Sequence, residues 1–206
     1  MNGAAMPAPV RCLAAGFALA LLAACGSSVS PPAGDPPLAG AAIGGPFELV
    51  DSTGKTVRWS DFDGKYRIVY FGYTYCPDVC PYDVQRMMAG FAQFKRAHPD
   101  RAAQVQPLFV SIDPERDTPA VVGEFSSAFS DDLLGLTGTP AQVDQAAKAF
   151  KAFYAKGQDA GNGSYLMDHS RAAYLMGRNG EPIALLPVET ADKGEAVAAE
   201  LAKWVS

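Results

Sequence analysis

Two cysteines, Cys76 and Cys80, sit four residues apart in Gly72-Tyr-Thr-Tyr-Cys-Pro-Asp-Val-Cys-Pro81. Four residues of α-helix rise about 6 Å and return to nearly the same face, so two thiols at this spacing can share one metal ion. They can also close a disulfide, which needs a Cα separation of roughly 4.4–6.8 Å. Metal ligation and redox exchange are therefore both open. The pair follows an apolar, strand-like run and opens an amphipathic, helix-like one. A helix N-terminus favours thiolate, which is both the nucleophile and the metal ligand. Dithiol redox motifs of the thioredoxin type carry two residues between their cysteines, whereas Pro77, Asp78 and Val79 stand between these. The longer spacer weakens the redox reading without excluding it.

A metal site needs further donors, and the chain has only 2 histidines. His98, in Lys95-Arg-Ala-His-Pro99, reads as a solvated helix end where a cation suits the dipole. His169, in Tyr165-Leu-Met-Asp-His-Ser170, is polar-flanked and lies just ahead of a strand. The plain alternative for it is a loop histidine bonded to nearby backbone, but a Cys pair in the same domain wants a third ligand and imidazole is the usual donor. Two thiolates and one imidazole form a soft, low-coordinate site, suited to Cu(I) or zinc and unsuited to magnesium or calcium. Structural zinc takes four Cys or His ligands, which this chain does not supply, so copper is preferred. Cu(II) would want one more donor, for which Asp78, Asp113 and Asp168 are candidates against their ordinary roles in turns and caps.

The N-terminus bears on the state of the thiols. Residues 13–24 are continuously apolar behind Arg11, too short for a comfortable membrane span and fitting the apolar region of a secretory signal. Leu22-Ala-Ala-Cys25-Gly26 resembles the lipobox of bacterial lipoproteins, in which the cysteine becomes the lipidated first residue. On this reading residues 1–24 are a signal peptide, Cys12 is discarded with it and Cys25 is capped. Cys76 and Cys80 are then the only free thiols, and the pair is functional rather than a structural staple. The expected location is outside the cytoplasm, lipid-anchored to a bacterial membrane and facing the periplasm. Loss of residues 1–24 leaves 16 basic groups against 22 acidic ones, a net charge of −6. Without basic clusters, such a chain is a poor nucleic-acid binder.

Several elements must position these groups. Residues 25–45, rich in Ser, Pro and Gly, carry the anchor site and a flexible linker. The folded domain then spans 46–206. Phe47–Val50, a turn at Asp51–Gly54 and Thr56–Trp59 read as a β-hairpin. Tyr66–Tyr73 suits a buried central strand, and past Pro81 Val84, Met87, Met88, Phe91 and Phe94 fall at helical spacing. The two methionines read as core packing, with a copper-binding methionine box as the sharper and weaker alternative. A strand is expected over Val105–Ile112 and a helix from Thr118-Pro119 through Val122, Phe125 and Phe129. Another helix carries Val143, Ala146, Ala147, Phe150 and Phe153, followed by a polar loop from Lys156 to Ser164. Strands at Ala172–Met176 and Pro182–Leu186, and a helix through Val197, Leu201 and Trp204, complete the chain. This order predicts one α/β domain with a mixed central sheet, and ligands gather at the carboxyl ends of such strands, where the cysteines fall.

The cysteine motif, Ser111-Ile-Asp-Pro-Glu-Arg-Asp-Thr-Pro119, Gly135-Leu-Thr-Gly138, and Asp168-His-Ser170 with Tyr174-Leu-Met resemble the successive signatures of the Sco/SenC family. The likeness runs from about Phe47 to the C-terminus. It implies a thioredoxin-like fold with helices flanking the sheet, and Cys76, Cys80 and His169 as copper ligands. It also implies a copper metallochaperone that serves the dinuclear copper centre of cytochrome c oxidase subunit II. A carrier of this kind has no turnover of its own. The alternative is a thiol-disulfide reductase that keeps the subunit II cysteines reduced; a thiol peroxidase is weaker, since His169 would have no role in it. Copper binding in an oxidising compartment requires reduced thiols, so a periplasmic thioredoxin-like reductant is an implied partner, and a second copper chaperone is a further candidate. Gly177 stands where many members carry Asp, and Met167 replaces a common Val; neither touches the implied ligands.

Overall fold

A computed structural model of the chain describes residues 1–4, 34–158 and 164–206, and the fold belongs to the unit Pro31–Ser206. Cys12 and Cys25, and with them the signal and lipidation readings, lie outside the described residues. Among the described residues no helix is long and apolar enough to cross a membrane. The expected linker is shorter at its C-terminal end than its composition suggests. Leu38 N–H donates to the Ile183 carbonyl at 3.0 Å and Gly44 N–H to that of Ala149 at 2.9 Å, which lays this stretch against the domain.

The hairpin forms as expected, with β1 (Glu48–Val50) antiparallel to β2 (Thr56–Arg58). The Asp51 carboxylate closes its turn, accepting from the backbone N–H groups of Thr53 and Lys55, and Gly54 takes the left-handed conformation at φ 80° that the turn requires. The apolar run becomes β3 (Tyr66–Gly72), the central strand, buried at every position because both faces of the sheet are covered there. β4 (Val105–Ser111) and β5 (Leu134–Leu136) extend the sheet in parallel on one side. β8 (Ala173–Met176) and β9 (Pro182–Leu186) extend it antiparallel on the other. The order is β5-β4-β3-β8-β9, a mixed sheet with helical crossovers between its parallel strands, which is the thioredoxin-like arrangement.

α1 (Val79–Ala97) begins two residues earlier than the proline suggests. Pro81 still fits, since the first turn leaves its N–H groups without intrahelical partners. Cys80, Val84, Met87, Met88, Phe91 and Phe94 form its buried face, so the methionines are core. A one-turn helix, α2 (Pro99–Ala102), follows. α3 (Pro119–Ser127) starts at the Thr118 cap, and α4 (Pro140–Ala149) at a capping box of Thr139 with Gln142. α5 (Glu195–Trp204) lies against α1, where Gly90 permits close approach: a Cβ there would fall 2.6 Å from the Gly194 carbonyl oxygen and from Val197 Cβ.

Two expectations change between α4 and β8. The helix stops at Ala149, leaving Phe150 fully buried just past its end and Phe153 61% exposed. The polar loop is bracketed by two further short strands, β6 (Tyr154–Lys156) and β7 (Met167–His169), paired so that Tyr154 faces His169. His169 therefore sits within an ordered strand, not merely ahead of one. Three-residue strands with little apolar alternation give no periodicity to read.

Candidate metal centre

Beyond Gly72 the chain leaves the sheet into Tyr73-Thr74-Tyr75, and this turn is fastened from below. Asp117, fully buried, accepts hydrogen bonds from Thr74 Oγ1 at 2.6 Å, Thr74 N–H at 3.1 Å and Ser111 Oγ at 2.6 Å. Burial raises its pKa against the effect of those donors. The cysteines come next, both free thiols and both buried. Cys76 precedes the helix; Cys80 occupies its first turn.

The two thiols are unequal. Cys80 N–H donates to Cys76 Sγ at 3.3 Å. The Cys80 thiol is the main group favouring thiolate at Cys76, and His169 and the backbone N–H groups of Cys80 and Asp78 add to it. Together these hold Cys76 well below the ordinary thiol range, despite burial. Cys80 is pushed the other way, first by hydrogen bonding to the Cys76 sulfur and then by burial. Of the pair, Cys76 is therefore the one favoured as thiolate and Cys80 the one favoured as thiol.

His169 comes from the far end of β7 to meet them. Its Nε2 lies 3.1 Å from Cys80 Sγ, across a sequence separation of 89. Nδ1 lies 2.9 Å from the Ser170 carbonyl oxygen, which can only accept, so Nδ1 carries a proton and the neutral ring offers Nε2 as the donor to a metal. Burial opposes protonation of the ring, but the contacts with Cys76 and the Ser170 carbonyl outweigh it and raise the His169 pKa. Two tyrosine rings stand edge-on to the imidazole, Tyr73 at 5.9 Å and 88° and Tyr70 at 6.4 Å and 87°. Burial is the leading cause that moves the Tyr73 hydroxyl up to about 12, and the nearby Cys76 adds to it.

The two sulfurs and a ring nitrogen of His169 all lie within 4.8 Å of one another, the only such group of Cys, His, Asp or Glu among the described residues. Bonds of about 2.0–2.3 Å to nitrogen and sulfur in a trigonal plane put the donors about 3.7 Å apart, so this set fits one soft metal ion with little movement. None of the three carboxylates considered as a further donor belongs to it. Asp78 is exposed at the helix cap. Asp168 is exposed on the face of β7 opposite His169. Asp113 is buried and engaged, accepting from Arg116 Nε at 2.5 Å and from the Tyr165 hydroxyl at 2.6 Å. His98 caps the end of α1 beside Phe94, away from the group.

Three residues at this centre escaped the sequence reading. Tyr70, on β3, donates to Asp83 Oδ2 at 3.0 Å. Asp83 is fully buried one turn beyond Cys80, and Arg171 reaches its carboxylate with Nε at 2.9 Å and Nη2 at 2.6 Å. A signal for Asp83 existed: it falls three residues after Cys80 and one before Val84, on the apolar stripe, where a carboxylate must be paired. Arg171 carried none.

A family model described as SCO1/SenC matches residues 35–206. Protein SenC of Rhodobacter capsulatus is 46% identical over 138 residues, covering 67% of this chain and 60% of that protein. The human mitochondrial SCO1 homolog is 39% identical over 139 residues, covering 68% of this chain and 46% of that protein. Matches to these curated relatives and to a plant homolog span 40–60% of the relatives' own lengths. Among solved structures, Bradyrhizobium japonicum ScoI with copper bound superposes with a TM-score of 0.70 at 36% identity, over 79% of this chain and 99% of that one.

Proposed function

The chain belongs to the SCO1/SenC family, and from that premise we propose that it is a copper metallochaperone holding its cargo on Cys76, Cys80 and His169. The observation that carries this is the convergence of two sulfurs and one imidazole within 4.8 Å, with no carboxylate among them. The copper-bound relative of similar fold supports the choice of metal. One ligand stands in the loop before α1, one in the first turn of that helix and the third on a separate strand, so a cysteine of a target can approach the low-coordinate metal and displace the donors one at a time. The proposed recipient is the dinuclear copper site of cytochrome c oxidase subunit II, as the family resemblance of the four motifs implies. We propose also that the protein is exported and tethered to the membrane through a lipid on Cys25, a reading supported by the apolar run and lipobox-like sequence before it.

Copper titration of the purified protein under reducing conditions tests the ligand set. One ion per chain is expected to bind tightly, and His169→Ala should abolish tight binding while leaving a dithiol that can still be oxidised. Unchanged stoichiometry and affinity in that variant would remove His169 from the site.

The inequality of the two thiols favours a second reading, reduction of a disulfide on subunit II. The Cys76 thiolate would attack one sulfur of that disulfide, breaking the S–S bond and releasing the other as a thiol once protonated. Cys80, on losing its proton, would then displace the first and close a Cys76–Cys80 disulfide. Two electrons pass to the target and must be restored by a thioredoxin-like reductant. Offering copper-loaded protein an already reduced subunit II fragment separates the readings, since only the metallochaperone metallates it.

A further inference from the structure

The ring of His169 is held near the cysteines by little of its own making. β7 contributes three residues and its partner β6 is as short. A second link joins the same two segments. Arg171, two residues past His169, forks onto Asp83, three residues past Cys80, with Nε on Oδ2 at 2.9 Å and Nη2 on Oδ1 at 2.6 Å. The sequence separation of this pair is 88 and that of Cys80 with His169 is 89, so the ion pair and the ligand contact run side by side between α1 and the β7–β8 turn. The carboxylate end is fixed: Asp83 is fully buried and also accepts the Tyr70 hydroxyl at 3.0 Å, while the Tyr70 ring stands edge-on to His169. A planar guanidinium in two parallel hydrogen bonds sets orientation as well as distance.

We propose that the Asp83–Arg171 ion pair, seated on Tyr70, is a clasp that presents His169 to the two cysteines before any metal arrives. Asp83 and Arg171 are then positioning residues. They touch no metal, and act by keeping the imidazole at bonding distance so that its ordering is complete before copper binds. This rests on the ligand reading given above, and deepens it by saying what holds the third ligand in place. Arg171 reaches this carboxylate from the surface, its side chain 38% exposed while its partner is fully buried.

The test is a double-mutant cycle on the purified full chain. Copper(I) affinity is measured by chelator competition for wild type, Arg171→Met, Arg171→Lys, His169→Ala, His169→Ala combined with Arg171→Met, and the double variant with Asp83→Asn and Arg171→Met. That double variant removes both charges, so no lone buried carboxylate threatens the fold. Losing a group that orients a metal ligand typically costs 10–100-fold in affinity, and about that loss is expected for Arg171→Met and the double variant, with partial recovery in Arg171→Lys. With His169→Ala already present, adding Arg171→Met should cost nothing more. In the metal-free protein, nuclear Overhauser contacts between the His169 ring and the rings of Tyr70 and Tyr73 should weaken in both clasp variants. Unchanged affinity in those variants overturns the clasp, as does an equal loss with and without His169. If His169→Ala itself binds copper like wild type, the ligand reading has failed instead; the clasp is then judged on the ring contacts, whose persistence without the ion pair overturns it.

Discussion

Gly72→Ala asks how tightly the floor of the site is built. A Cβ at this position would lie 2.9 Å from Tyr70 Cε1, 3.1 Å from Cys80 Sγ and 3.1 Å from Phe109 Cε2. Both rings are fully buried and stack on each other at 6.4 Å and 22°, so neither has room to retreat. Relief must come from the backbone at residue 72, carrying the Cβ away from the rings, together with the Cys80 sulfur on the first turn of α1. Overpacking a core by one methyl costs about 1–3 kcal/mol, and replacing Gly by Ala returns about 0.4–1 kcal/mol by restricting the unfolded chain. Taking the middle of each range, about 2 less about 0.7, the net loss is about 1–2 kcal/mol. At about 2–4 °C per kcal/mol for a domain of this size, thermal unfolding should shift down by about 2–8 °C. Copper affinity should fall as well, because one of the three donors has moved from a set in which Cys80 Sγ lies 3.1 Å from the imidazole. The assay is calorimetry of the metal-free protein together with chelator competition. Wild-type values for both would mean that the sheet beneath the site relaxes freely, and would refute the claim that Gly72 is required by close approach.

Gly90→Ala is the matching control: its Cβ would meet Gly194 O and Val197 Cβ at 2.6 Å between α1 and α5, so it should lower the unfolding temperature by at least as much while leaving copper affinity of the folded protein unchanged. Of the Cys76–Cys80 pair, alkylation of the metal-free protein by iodoacetamide should spare Cys80 and find Cys76. Because its thiol is held well below the ordinary range, chiefly by Cys80, its rate should be nearly flat from about pH 6 to pH 9, where a free thiol with pKa about 8.5 gains almost tenfold per unit until it titrates. Cys80→Ala should restore a rate that rises with pH, and mass spectrometry of the labelled peptide checks both points.

The elements that could be read from sequence are those whose burial imposes a period. β3 is apolar at every position but Arg67 because both its faces are covered, and α1 shows its stripe because one face is buried, in part against α5. The hairpin was announced by Asp51 and Gly54, whose turn chemistry is local. What failed lay where neither period nor turn chemistry applies. Phe150 looked like the next step of α4, yet it is buried from beyond the helix end, packed on Trp59 and Phe71 at 5.4 Å each. That position is decided by distant partners. β6 and β7 have three residues each and are stabilised by pairing with one another, so nothing in either alone marks a strand. The candidate carboxylates failed for a related reason: Asp113 has the right chemistry for a ligand, but Tyr165 and Arg116 claim it, and neither claim is visible along the chain.

The metal centre divides in the same way. Cys76 and Cys80 are local partners, and their spacing alone states that they can share an ion. The place of His169 depends on one topological fact, that β8 pairs antiparallel with β3. The register sets Tyr70 opposite Ala173 at the carboxyl end of β3, so the chain that enters β8 must pass over the point where the chain leaving β3 turns into the cysteine motif. His169, four residues before Ala173, and Cys76, six after Tyr70, are thereby brought to one edge of the sheet by a strand pairing made elsewhere. Pairing alone gives proximity on the scale of a strand spacing, about 5 Å. Bringing Nε2 to 3.1 Å of a particular sulfur takes side chains that fix the turn itself, and Asp83, Arg171 and Tyr70 are the ones that span the gap. Donor identity is thus written in residue type, donor proximity in topology, and donor aim in a half-buried ion pair that only the folded chain assembles.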